Sequence, residues 1–381
     1  MGSNALSGRR RGLTLLALAA VAALPGCHRH DKWEDMLSQK VYVSDRFYDV
    51  AVLGPKEALV VGYNGKLLST TDFGSTWNIV ESGSQHGLFS ISFAPDKKVG
   101  WIVGQAATIQ KTTDGGKTWT PQGGHIYMTD ECRQGGGDPD ATDESDKCPL
   151  APLFAVSAVD DNTAVAIGDR ATLTITHDGG KTWKTSTLKP IAVGNVDANA
   201  GIAFEDPVLY DVQMLDAQNG FVVGEFGNIL KTTDGGATWH EKQASLVGED
   251  YFDIMELPTF FDVDFRGANT GYVVGLEGRV ARSTDGGETW QWMPHGVKEY
   301  DAPFYSVDIL PSGAVWAVGG SGQAIYSAPG GKLGKGDLGT RVTNWIRNVR
   351  FYDDNTGWMV GGFGFIMNTT DGGKTWFRRI G

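Results

Sequence analysis

Histidine and cysteine are scarce in this chain. Seven histidines and three cysteines in 381 residues leave no second Cys/His pair at zinc spacing, which argues against a structural zinc site. Positive charge is also in short supply. Lys and Arg number 33 against 45 Asp and Glu, a net charge of −12. Partners that need a basic footprint, nucleic acid and anionic membrane surfaces, are therefore disfavoured. The apolar stretch from Leu13 to Leu24 is too short to span a bilayer. Glycine is the residue in excess, with 53 copies, as expected of a chain rich in tight turns.

Those turns repeat. The phrase Thr112-Thr113-Asp114-Gly115-Gly116-Lys117-Thr118-Trp119 returns in six copies, with its acid at Asp72, Asp114, Asp178, Asp234, Asp285 and Asp371. A short carboxylate can accept hydrogen bonds from the N–H groups of its own turn. The glycines supply positive φ, and the Trp is large enough to wedge against a neighbouring sheet. The gap from Asp285 to Asp371 is twice the shortest gap plus two residues, and Ser327-Ala328-Pro329-Gly330-Gly331-Lys332 keeps the first position and the glycines of a hidden copy. That makes seven units. A period near 40 residues with four short strands per unit marks a propeller.

Within each unit an inner strand A opens on an aromatic residue followed two positions later by a β-branched one: Tyr48, Phe89, Phe154, Tyr210, Phe261 and Tyr305, with Arg347 in the seventh place. Strand B is an apolar run ending in Gly, as in Phe221-Val222-Val223-Gly224, which suits strands buried on both faces. Strand C leads into the Asp-box turn, and strand D is expected to start at the Trp. The fold class is all-β: a seven-bladed β-propeller with Asp-box (C–D) turns on one face and long D–A loops on the other. The D–A connections after blades 2 to 5 are long, at about residues 121–152, 186–208, 242–259 and 293–303. The B–C turns share their face, which is the expected functional face.

The N-terminus divides into a signal peptide at 1–26, a tether at 27–44 and the propeller at 45–381. Arg9-Arg10-Arg11 precedes the apolar stretch. Leu24-Pro25-Gly26-Cys27 then resembles a bacterial lipobox, which implies lipidation of Cys27. Ordinary export with Cys27 free is the alternative. His28 follows where an Asp would favour inner-membrane retention, so the resemblance implies a lipid anchor at the outer membrane, facing the periplasm. Cys132 and Cys148 remain as a pair flanking one loop, and export permits a disulfide between them.

The run from Val223 to Trp239, with Gly224, Gly227, Asp234, Gly235 and Gly236 at their spacing, resembles the photosynthesis system II assembly/stability factor-like family of Asp-box (BNR-type) propellers. The resemblance covers about residues 45 to 381. It implies a non-enzymatic assembly factor that holds a membrane-protein subunit while partners are added, without a cofactor. Relatives also occur as exported bacterial proteins where no photosystem exists, some encoded near efflux pumps, which makes a transporter complex a second kind of partner.

Sialidases share the Asp box, and an exported glycoside hydrolase is the alternative reading. Arg46, Arg170 and Arg347 are available for an arginine triad, and Asp169, Glu225 and Glu277 for acids, but the Arg-Ile-Pro signature is absent. A propeller binding a glycan or solute is a third reading, and it requires a ring of aromatics at an open mouth. The acidic insert from His125 to Leu150 matches no EF-hand spacing and is read as a flap over the channel mouth. His86, His125 and His295 fall in D–A connections. The position after each A-strand aromatic holds Asp49, Ser90, Ala155, Asp211, Asp262, Ser306 and Asn348, read as small residues fitted to the narrow end of each wedge. The contact set expected for a partner is the B–C tips: Tyr63, Asn64, Gln105, Asp169, Arg170, Glu225, Phe226, Leu276, Glu277 and Phe363.

Overall fold

The computed structural model describes residues 40–123, 126, 132, 148–189, 206–248, 252, 256–297 and 302–379. The signal peptide at 1–26, Cys27, the tether up to residue 39, His125 and most of the acidic insert lie outside the described residues. Within them, seven four-stranded antiparallel sheets follow one another along the chain. They span residues 47–79, 88–121, 153–187, 209–241, 260–292, 304–335 and 346–378. The hidden unit is the sixth blade, whose strand C is Ala324–Ser327. Successive inner strands touch, and the first touches the seventh.

Six of the seven B strands are buried along their whole length, and the fifth is buried from Gly271 onward, because each lies in the middle of a sheet that is itself sandwiched between blades. Each B strand ends on a glycine at the bulge of its A strand, where the pairing register shifts. Strand D differs from its expected start. It begins one residue after the Trp, as in Asn78–Ile79 and His240–Glu241. The indole is withdrawn from the ladder and packs against the preceding blade. Trp119 joins Leu59 and Val61 of blade 1, and Trp376 meets Trp316 of blade 6 edge-on at 5.5 Å.

The Asp-box turn is closed by its own side chains. In the third copy Thr182 donates to Asp178 from both its amide and its hydroxyl (2.9 and 2.6 Å), and Thr176 donates its hydroxyl at 2.9 Å. The Thr182 hydroxyl and amide hold the Asp178 carboxyl down to about 2. All these acceptors are used within the turn, which leaves the Asp-box face without free ligands at these positions.

Each blade is one continuous segment, so no strand is shared across the seam between blades 7 and 1. Closure relies on smaller contacts. The Gly364 N–H donates to the Asp45 carbonyl (2.9 Å). Arg46 forms an isolated bridge with Gly362, and the Asn368 side chain donates to the Phe73 carbonyl (2.7 Å). Trp358 is fully buried against Phe73 and Trp77.

Candidate functional site: the rim and the axial cavity

Two sets of residues meet at the end of the disc where strands A begin. The first is the ring of B–C turns. Each of the seven turns is closed by a bond from its fourth N–H to its first carbonyl, at 3.0–3.3 Å. Each also places a non-glycine residue in the left-handed region: Asn64, Ala106, Arg170, Phe226, Glu277, Ser321 and Phe363, with φ between 49° and 60°. That conformation costs about 1–2 kcal/mol for a residue with a Cβ, and bulky Phe is among the rarest residues to adopt it. The four apolar tips remain exposed, Tyr63 by 46%, Phe226 by 38%, Leu276 by 39% and Phe363 by 56%. Asn64, Gln105, Arg170 and Glu277 are exposed beside them. Asp169 and Glu225 are half-buried and turned back on the scaffold. Asp169 accepts the Arg170 N–H (2.9 Å), and Glu225 accepts the Val208 N–H (2.9 Å).

The second set lines the axis. The A-strand aromatics form a collar. Ring centroids are 5.3 Å apart from Tyr48 to Phe89, 5.6 Å to Phe154, 5.8 Å to Tyr210, 4.9 Å to Phe261 and 5.5 Å to Tyr305. Arg347 continues the circle by stacking over Tyr305 at 5.7 Å and donating to its carbonyl (2.9 Å). Trp345, which no sequence pattern singled out, closes it on Tyr48 at 6.0 Å. Below the collar is a cavity of about 390 Å³.

The small residues after the aromatics do more than fit a narrow wedge. Five of the seven stitch one blade to the next. Asp49 accepts the Ile91 N–H (2.9 Å), Asp211 that of Val263 (3.1 Å), Asp262 that of Val307 (2.8 Å), and the Ser90 and Ser306 hydroxyls those of Val156 and Val349. A second tier lies two residues on, where Gln213, Asp264 and Asp308 accept from Phe265, Ile309 and Phe351 at 2.7 Å each. Arg350 fills the centre. It bonds Asp262 with two nitrogens (3.3 Å each) and donates to the Ser306 hydroxyl and the Val307 and Val349 carbonyls. Burial raises the Asp262 carboxyl, but the Arg350 guanidinium and the hydrogen bonds from Asp211 and the Val307 N–H together hold the group below its usual range. Asp211 is driven well above that range by burial and by the neighbouring Asp262.

The arginines do not assemble a triad. Arg46 lies over Tyr63 at 5.7 Å, Arg170 is exposed at its B–C tip, and Arg347 is tied to Tyr305. His295 has both ring nitrogens engaged, with the Gly278 carbonyl and the Val297 N–H. Among the described residues no group of His, Cys, Asp and Glu could hold a metal ion. Cys132 and Cys148 are joined by a disulfide.

Comparison with known proteins gives a consistent relationship. The family model described as photosynthesis system II assembly factor YCF48 matches residues 27–123 and 196–255. The photosystem II assembly lipoprotein Ycf48 of Picosynechococcus sp. is 26% identical over 333 residues, covering 76% of this chain and 86% of that protein. Its counterpart in Synechococcus sp. (strain CC9902) is 28% identical over 165 residues, and the match spans only 47% of that protein. A solved structure described as YCF48 bound to D1 peptide superposes with a TM-score of 0.60 at 18% identity, over 88% of this chain and 95% of that one, which shows the shared fold.

Proposed function

We propose, from the premise that this chain is a photosystem II assembly factor-like Asp-box propeller, that it is a non-enzymatic scaffold for a membrane-protein complex. It holds a segment of one subunit at the B–C rim. The observation that carries this reading is the ring of seven left-handed tips with Tyr63, Phe226, Leu276 and Phe363 exposed on it. Backbone strain concentrates where side chains must be held for binding, and apolar groups rimmed by polar ones are what a binding patch offers. A solved relative that carries a peptide of D1 supports a peptide segment as the bound element. The partner here is a membrane-protein subunit or a transporter complex on the periplasmic side.

The anchor belongs to the same reading. Cys27 carries lipid and tethers the propeller to the outer membrane, in keeping with relatives named as lipoproteins. Cells fed radiolabelled palmitate should label the wild-type chain and leave a Cys27→Ser variant unlabelled in the soluble periplasmic fraction. An unlabelled wild type, or a labelled one found in the inner-membrane fraction, would contradict the assignment.

The rim is tested by affinity capture from detergent-solubilised membranes. Replacing Phe226 and Phe363 together with alanine should cut recovery of the captured membrane protein by about tenfold or more, the loss of one or two anchoring side chains. Thermal stability should hold or rise, because alanine relieves some crowding at positive φ. Undiminished capture would show that the partner sits elsewhere.

A further inference from the structure

The collar and the cavity beneath it have a chemistry of their own, separate from the rim. Five carboxylates line the cavity (Asp49, Asp211, Asp262, Asp264 and Asp308) against three cations. Two of those cations are occupied elsewhere. Arg347 is stacked on Tyr305 at the mouth. Lys97, at the far end, donates to the Val52 and Leu53 carbonyls and lies 4.2 Å over Tyr352. Of the three, Arg350 meets the carboxylates directly, and Asp262 is the carboxylate it hydrogen-bonds. The cavity therefore holds more carboxyl groups than cations that bond to them.

Two acceptors are left over. Asp308 receives the Phe351 N–H on Oδ2, and among the described residues no donor to its Oδ1 is seen. Asn348, only 7% exposed, lines the same cavity, and its carbonyl oxygen has no partner. By the repeat it would accept the Val50 N–H, but Asp49 takes that N–H through its own carboxylate (2.8 Å). The seam between blades 7 and 1 thus lacks its stitch, and an unpartnered polar group is left in the lining. The approach to these groups runs through six half-buried aromatic rings, a surface that attracts alkyl stems and organic cations and is indifferent to anions.

We propose that the axial cavity is a binding site for a primary ammonium group carried on an alkyl stem, with its charge at the Asp308 carboxylate and its stem in the aromatic collar. An anion would meet an acidic lining in which Arg350 is already committed to Asp262. A bare metal ion would lack ligands, since no set of three among the described residues converges. An ammonium supplies three N–H donors and the missing charge together.

Proton linkage follows from the same geometry. Burial and the adjacent Asp264 push Asp308 up to about 8, with Asp262 of blade 5 and Arg350 of blade 7 also facing it. The empty cavity therefore holds Asp308 protonated at neutral pH, and an arriving ammonium displaces that proton. The ligand stays charged to about pH 10, so affinity should tighten as pH rises toward 8, with a proton released on binding.

Calorimetric titration of the whole protein tests this. The free amine is represented by 1,5-diaminopentane, and a side chain on a peptide backbone by Nα-acetyl-lysine methylamide. 1-Pentanol serves as the uncharged control. One-to-one saturation is expected with the diamine, about fiftyfold tighter at pH 8 than at pH 6 for one displaced proton. Saturation by the lysine derivative as well would identify a protein side chain as an acceptable source. Its failure alone would assign the site to free amines. Asp308→Asn retains an acceptor for the Phe351 N–H and should weaken diamine binding by about tenfold or more. Phe154→Leu leaves the acids untouched and should weaken it several-fold. Phe226→Ala should change nothing here, which separates this site from the rim. The proposal is overturned if pentanol binds as tightly as the diamine, if Asp308→Asn binds unchanged, or if no saturation is seen at millimolar diamine.

Discussion

Replacing Arg350 with methionine is expected to destabilise the propeller by about 3–5 kcal/mol, the usual consequence of leaving one member of a buried ion pair alone. The side chain is open only to the axial cavity, and its guanidinium bonds Asp262, Ser306, Val307 and Val349. Methionine fills the volume but returns none of those hydrogen bonds. Asp262, 3% exposed, would then be a lone carboxylate beside Asp211. The loss should be smallest in acid, where Asp262 can be protonated, and should grow as pH rises through the carboxylate range. Urea denaturation of both proteins at pH 5 and pH 8 measures it. Adding Asp262→Leu to the methionine variant should recover part of the loss, since replacing both partners removes the unpaired charge. A change within about 0.5 kcal/mol for Arg350→Met, the range of an ordinary surface substitution, would mean that the axial network contributes little to the fold.

The second large effect belongs to the glycine that ends every B strand. At the A-strand bulge the main chain turns toward strand B, and a Cβ on that glycine would meet a carbonyl oxygen. It would lie 2.1 Å from Thr259 O at Gly275, 2.0 Å from Pro303 O at Gly319 and 2.1 Å from Trp345 O at Gly361. The backbone angles are not the reason, since Gly275 is extended with φ −166°. The obstacle is another stretch of main chain, which cannot rotate aside as a side chain can. Gly275→Ala should therefore cost about 3 kcal/mol, at the upper end for overpacking. Gly334→Ala is the control, because nothing lies within 4 Å of its added Cβ, and it should change stability by no more than about 0.5 kcal/mol. Equal midpoints for the two variants would show that the bulge can relax and that the repeated glycine has another cause.

These two cases mark how far the sequence could be read. The number of blades was legible because each Asp box satisfies itself locally, and even a degraded copy kept its first hydroxyl and glycines at Ser327 to Gly331. The B strands were legible because burial on both faces leaves only apolar residues to choose from. The axis was not. Asp211 and Val263, or Asp308 and Phe351, are joined across blades, and a polar residue at alternate positions of a short strand looks the same whether it faces water or a neighbouring blade. The collar was half legible: the aromatics repeat at one position, but Arg347 breaks the pattern, and Trp345 completes the circle from outside strand A. The rim tips were placed by their position between strands B and C. Their shared left-handed conformation was not foreseen, since Phe226, Glu277 and Phe363 are poor candidates for positive φ. Nor could sequence show that Glu225 would accept the Val208 N–H.

The account rests on binding being confined to the end of the disc that carries the B–C tips. Site-specific photo-crosslinking in intact cells tests that directly, with a benzophenone amino acid placed at Phe363 on the rim or at Thr118 on the Asp-box face. Adducts to a membrane protein from position 363, with none from position 118, are the predicted result. Adducts from position 118 alone would contradict it.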